Sequence, residues 1–178
     1  MREAGDLLSL RDGSRLHVRA IQPADEPLLH EAFERMSERT VYFRFFSPLK
    51  RLPDEMAHRL AVVDYRDRYA LVAVTHKPDK REHILGVARY DRAAGTDVAE
   101  VAVAVVDDFQ RQGVGSQLLV RLAEVARANG IRAFSLVVLP ENQSMLGLLR
   151  KRGWIHRAKL VGGAYEITFE LSGVISTA

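Results

Sequence analysis

None of the 178 residues is a cysteine. A disulfide framework, a thiolate-ligated metal and a cysteine nucleophile are therefore all excluded. Long apolar runs are missing too: none approaches the roughly 20 residues of a membrane-spanning helix. The opening Met1-Arg2-Glu3-Ala4-Gly5-Asp6 lacks the apolar stretch of a signal peptide. A membrane partner is not expected, and the cytoplasm is the default location. Neither sign of charge dominates, since 28% charged residues leave a formal net charge of only +3. There is no basic stripe of the kind that binds nucleic acid, so such a partner is not expected; the small excess suits a compact anionic ligand better. The six histidines show no HExxH spacing, so no metal site is expected. No GxSxG elbow is present for a serine nucleophile.

What is present is a mixed succession of strand and helix patterns in a chain that is 47% hydrophobic. That length and apolar content fit one domain over 1–178 with a substantial core, the core expected at about 15–171 between short flexible ends. Residues 15–21 alternate as a first strand. Pro23-Ala24-Asp25 then opens a helix carrying Leu28, Leu29, Ala32, Phe33 and Met36 on one stripe. A short helix is predicted over 53–62, a hairpin over 69–75 and 84–90, and a strand over 98–106. Val114, Leu118, Leu119, Leu122, Val125 and Ala126 recur at helical spacing until Asn129-Gly130. A strand over 133–139, a helix over 142–152 and two final strands follow. Strand, long helix, strand over 98–139 makes a parallel crossover, whereas the hairpins on either side are antiparallel. The aromatic cluster Tyr42, Phe43, Phe45 and Phe46 is expected in the core, with the wall of an acceptor site as the alternative.

The most informative stretch is Asp107-Asp108-Phe109-Gln110-Arg111-Gln112-Gly113-Val114-Gly115-Ser116. It joins a buried strand to the start of a long helix, where unpaired amides and the positive end of the dipole can hold a phosphate. Gly113 and Gly115 remove side chains that would block that approach. The spacing is neither the dinucleotide GxGxxG nor a P-loop ending in GK[ST].

Gln110, Gly113 and Gly115 resemble the Gln-x-x-Gly-x-Gly pyrophosphate loop of the GNAT superfamily of acetyl-CoA-dependent N-acetyltransferases. Asn142, followed by Met145, Leu149, Gly153 and Trp154, is similar to a second stretch of that superfamily. Glu100, ten residues before Gln110, stands where several such enzymes place a general base. The run 37–46, Ser-Glu-Arg-Thr-Val-Tyr-Phe-Arg-Phe-Phe, resembles the SxxSxYxRFF stretch of bacterial Pat-type protein lysine acetyltransferases, and Asp64-Tyr65 with 69–73 resembles their next block.

The resemblance implies an α/β (α+β) GNAT fold: a mostly antiparallel mixed sheet of about seven strands with a parallel central pair and about four helices. It implies acetyl-CoA as cosubstrate, with Val103, Ala104 and Val105 along the pantetheine arm. Gln110, Arg111, Gln112, Gly113, Val114, Gly115 and Ser116 would stand around the pyrophosphate, and Asn142 beside the cofactor or as a helix N-cap. Glu100 would be the catalytic base, its apolar strand neighbours enclosing it. The partner would be an amine acceptor, including a protein such as an acyl-CoA synthetase, met by a monomer or homodimer. A small-amine or amino-acid acetyltransferase and an inert CoA-binding module are the alternatives. Many relatives carry a general-acid Tyr where this chain has Leu149; Tyr165 is the substitute considered. Pat proteins often add a sensing domain; none is expected within these 178 residues.

Overall fold

The structure, a computed structural model, describes residues 6–76, 80–155 and 157–174. Eight strands form one sheet: β1 (Asp6–Ser9), β2 (Arg15–Ala20), β3 (Arg68–His76), β4 (Glu82–Arg92), β5 (Val98–Val105), β6 (Ala133–Val138), β7 (Arg157–Val161) and β8 (Ala164–Glu170). Their order is β1-β2-β3-β4-β5-β6-β8-β7. Among the described residues only the central β5–β6 pair is parallel, because the connection between them is a full crossover helix. Five α-helices accompany the sheet: α1 (Glu26–Glu34), α2 (Glu38–Phe45), α3 (Asp54–Ala61), α4 (Val114–Ala128) and α5 (Gln143–Lys151). The eighth strand is β1, which lies in the stretch expected to be a terminal end.

Alternation along β5 decides what each face holds. Val103 and Val105 point to Gly115 at the start of α4. Phe134 is the register partner of Ala99 and lies opposite Phe169, on which Trp154, just past α5, stacks at 5.3 Å. Helices α4 and α5 therefore cover this face. Glu100, Ala102 and Ala104 point the other way, toward α1, α2 and α3. Gly86 on β4 is what lets α4 sit down closely: a Cβ there would meet Val114 Cγ1 at 2.9 Å and Leu118 Cδ1 at 3.2 Å.

Helix α1 is anchored at its entry by Arg19, which donates from Nη1 and Nη2 to the two carboxylate oxygens of the buried Asp25, 2.8 Å each. The same guanidinium donates to Glu82 Oε2 at 2.6 Å. Such a bidentate pair is more specific than a lone surface bridge.

Helix α2 overturns the expectation for the aromatic cluster. Ser37 caps it, its Oγ accepting from the Thr40 amide, but Val41 is its one buried side chain. Tyr42 and Phe46 are each 45% exposed, and Phe45 only leans on the core, 6.0 Å from the Phe33 ring. Eight residues lying over one corner of the sheet can bury little more than one stripe.

Candidate active site

The register of β5 and β6 runs from Val98↔Ala133 to Glu100↔Ser135, although β5 continues to Val105 and β6 to Val138. Beyond Glu100 the two strands diverge. A cleft of about 1820 Å³ passes through the gap and reaches both faces of the sheet. On the α4 face it is lined by the loop into α4, and on the other by Glu100, Ala102, Ala104 and α2. Backbone groups of 101–105 on the β6 side are left outside the ladder. Val103, Ala104 and Val105 all line the cleft, as do 110–116 and Asn142. The structure thus gathers Glu100, 103–105, 110–116 and Asn142 around one space.

The loop enters α4 through two left-handed residues, Arg111 at φ 60° and Gly113 at φ 89°. For Gly113 this conformation carries no Cβ penalty. Gln110 faces inward: its Nε2 donates to Thr40 Oγ1 and to the Val105 carbonyl, 3.0 Å each. That amide bolts the loop to α2 and to the end of β5. Asp107 adds a second bolt, accepting from the Ser37 amide at 2.8 Å. Partial burial works to raise the Asp107 pKa, but hydrogen bonds from Ser37 and Thr40 outweigh it and hold the carboxyl below its ordinary value. Ser116 Oγ accepts from Arg152 Nε at 2.8 Å, which leaves its O–H to donate elsewhere. Asn142 caps α5, its Oδ1 accepting from the Met145 amide at 3.2 Å; its Nδ2 has no described partner.

Electrostatically the cleft is basic, with seven Arg or Lys side chains lining it against three carboxylates. Arg11, Arg39, Arg121, Lys151 and Arg152 belong to that set and were not foreseen. Lys151 and Arg152 were legible as cations at the end of a helix; Arg11 follows the unforeseen β1. An anion-rich ligand such as the phosphates of CoA fits this lining together with the free amides at the start of α4.

Glu100 is exposed in the cleft and has no hydrogen bond or ion pair among the described residues. The expected apolar enclosure is absent because Ala99 and Val101 turn to the opposite face, as strand alternation requires. Its register partner across the β4–β5 ladder is Asp91, which is occupied by Arg68 Nε at 2.8 Å and Arg89 Nε at 3.7 Å. Burial lowers the Arg89 pKa to about 10, against the pull of Asp91.

Leu149 is fully buried in the core and does not face the cleft; α5 turns Ser144, Met145, Leu148 and Lys151 toward it instead. Tyr165 packs against the core and is not among the cleft-lining residues. Among the described residues no three metal-ligating side chains stand together, and no helix is long and apolar enough to cross a membrane.

The sequence pattern of the acetyltransferase (GNAT) family matches residues 29–154. Acetyltransferase PA5475 of Pseudomonas aeruginosa is 29% identical over 147 residues, 83% of this chain and 78% of that protein. Acetyltransferase Pat of Mycolicibacterium smegmatis is 30% identical over 152 residues, again 83% of this chain but 44% of the relative, so the chain spans under half of that protein. The crystal structure of the GNAT domain of S. lividans PAT superimposes with a TM-score of 0.85 at 33% identity, over 96% of this chain and 99% of that one.

Proposed function

The chain belongs to the acetyltransferase (GNAT) family, and on that premise we propose that it moves an acetyl group from acetyl-CoA directly to an amine, a lysine side chain of a protein, with Glu100 as general base. The observation that carries this reading is the cleft through the splayed β5–β6 gap. It puts a phosphate-ready helix start on one face of the sheet and an unpaired carboxylate on the other.

Acetyl-CoA supplies the thioester, and the residues here hold it and manage the proton. The amides at the start of α4, Ser116 O–H and the surrounding cations take the phosphates. The free edge of β5 takes the pantetheine amides as an added strand would. The acceptor arrives on the Glu100 face as an ammonium ion, and a lysine of pKa about 10.4 needs about 4.6 kcal/mol to lose its proton at pH 7. Glu100, having no competing partner, accepts that proton directly or through water. The amine nitrogen bonds to the acetyl carbon, the carbon–sulfur bond breaks, the sulfur leaves as thiolate, and the proton the nitrogen still has to lose goes to that thiolate or to water. With Leu149 in the core, no donor from that position assists it; a thiol with pKa near 8.5 is a tolerable leaving group.

The relatives named Pat and the Tyr42-Phe43-Arg44-Phe45-Phe46 stretch support a protein acceptor; an acyl-CoA synthetase is the class to try first. The test is mass spectrometry of candidate proteins, lysine peptides and small amines after incubation with acetyl-CoA. Acetyl groups on lysine side chains, lost with Glu100→Gln, are the expected result. Acetylation confined to small amines would replace the protein acceptor, and none at all would remove the activity.

A further inference from the structure

Arg44 is the part of the aromatic stretch that the transfer chemistry leaves unused. It stands in the last turn of α2, half-buried where the cleft meets a side pocket of about 50 Å³ beneath α1 and α3; it lines both. Other enclosed arginines have oxygen partners. Arg19 has Asp25 and Glu82. Arg89 donates to the Leu60 carbonyl at 3.1 Å. Arg44 has neither a hydrogen bond nor an ion pair among the described residues; its described ring contact is Phe45, 4.8 Å from Cζ, and Arg89, a like charge, lines the same side pocket. A guanidinium carries five N–H donors, and a ring face returns only part of the hydration surrendered. Asp91 and Glu100 are near enough to act on its charge. However, Asp91 is held by Arg68 and Arg89, and Glu100 opens onto the cleft.

We propose that Arg44 receives a carboxylate of the acceptor, so that the acceptor presents an ionised carboxylate beside the amine delivered to Glu100. This deepens the reading of the Glu100 face as the acceptor half of the cleft and rests on it. A base and a bare guanidinium side by side are complementary to a ligand carrying both an amine and an acid. A lone ammonium would instead be repelled by Arg44. An acidic residue flanking a lysine supplies this pair in a protein; the α-carboxylate of a free amino acid supplies the same chemistry.

The experiment uses lysine peptides with a flanking Asp or Glu, their Asn or Gln counterparts, and free amino acids with their amides. Each is followed by turnover and by calorimetry on CoA-loaded protein, so that an acceptor that binds without reacting still reports. Wild type should favour the acidic peptide by about tenfold in kcat/KM or Kd, a charge-assisted hydrogen bond's worth. Arg44→Gln should abolish that preference, and Arg44→Lys should keep part of it, while the thermal shift given by acetyl-CoA stays. Arg44→Gln should also melt no lower than wild type, because it removes a half-buried charge that has no hydrogen bond or ion pair among the described residues. An Arg44-dependent preference confined to free amino acids over their amides upholds the carboxylate site and overturns the protein acceptor. A loss equal for acidic and neutral acceptors, a preference that survives Arg44→Gln, or no carboxylate-dependent binding at all overturns the proposal.

Discussion

Asp91 and Glu100 are register partners on adjacent strands and share a face of the sheet, yet among the described residues Asp91 is paired and Glu100 has no hydrogen bond or ion pair. The Arg68 and Arg89 guanidinium groups hold Asp91, so two neighbouring carboxylates have different work. Glu100→Gln is expected to keep acetyl-CoA binding and lower kcat about 10²–10⁴-fold at neutral pH. Its residual rate should climb as pH approaches the amine's own pKa of about 10.4, since the solution then removes the proton. Asp91→Asn should act mainly on stability, by leaving Arg89 buried without its carboxylate. Steady-state pH profiles and melting curves of the two variants check this, and equal kinetic losses would contradict it.

Gln110 works through its bond to Thr40 rather than through a free amide. Gln110→Ala and Thr40→Val should each raise the KM for acetyl-CoA, and the double variant should be no worse than the poorer single one. A double-mutant cycle should return a coupling of about 0.5–1.5 kcal/mol. Additive losses would mean that the two side chains act separately.

Gly86 sets the approach of α4 to the sheet. Gly86→Ala would force its methyl against Val114 and Leu118, with an expected cost of about 1–3 kcal/mol and a melting point several degrees lower. Adding Val114→Ala should recover part of the loss, because the closest clash is with Val114 Cγ1. A neutral Gly86→Ala in thermal unfolding would contradict the packing described.

Asp107 ties the loop to α2 with a pKa held below its unfolded value. A depressed carboxyl contributes stability that is full above the unfolded pKa, about 3.9, and is lost as pH falls through the lower folded value. Asp107→Asn should therefore be the less stable protein at pH 7, with the gap closing in strong acid. Because the side chain is exposed, the effect is small and shrinks with salt. Denaturant unfolding from pH 7 down to pH 2 measures it.

The parts of the fold legible in the sequence are those with strong periodicity and firm ends. Helix α4 begins and ends at Val114 and Ala128 as its apolar spacing and Asn129-Gly130 predict, and the parallel pairing of β5 with β6 follows from the crossover. Helix α2 was hidden because one buried Val41 makes no stripe. Strand β1 is four residues long, too short for alternation to be read. At the site, residue types and order located the cleft. The sequence could not say that Gln110 would turn inward, that Leu149 would sit in the core, or that Glu100 would be open rather than enclosed. Each depends on which face of an element meets which neighbour.

Thermal unfolding with acetyl-CoA, CoA and NAD, on wild type and Glu100→Gln, tests the central claim most directly. A ligand at 100 times its Kd adds about 2.7 kcal/mol of stability, which for a domain of this size raises the melting point by several degrees. Acetyl-CoA and CoA should raise both proteins alike and NAD neither, with acetyl transfer lost only in the variant. Melting points unmoved by acetyl-CoA and CoA would contradict the account, because the loop into α4 would then be only a turn.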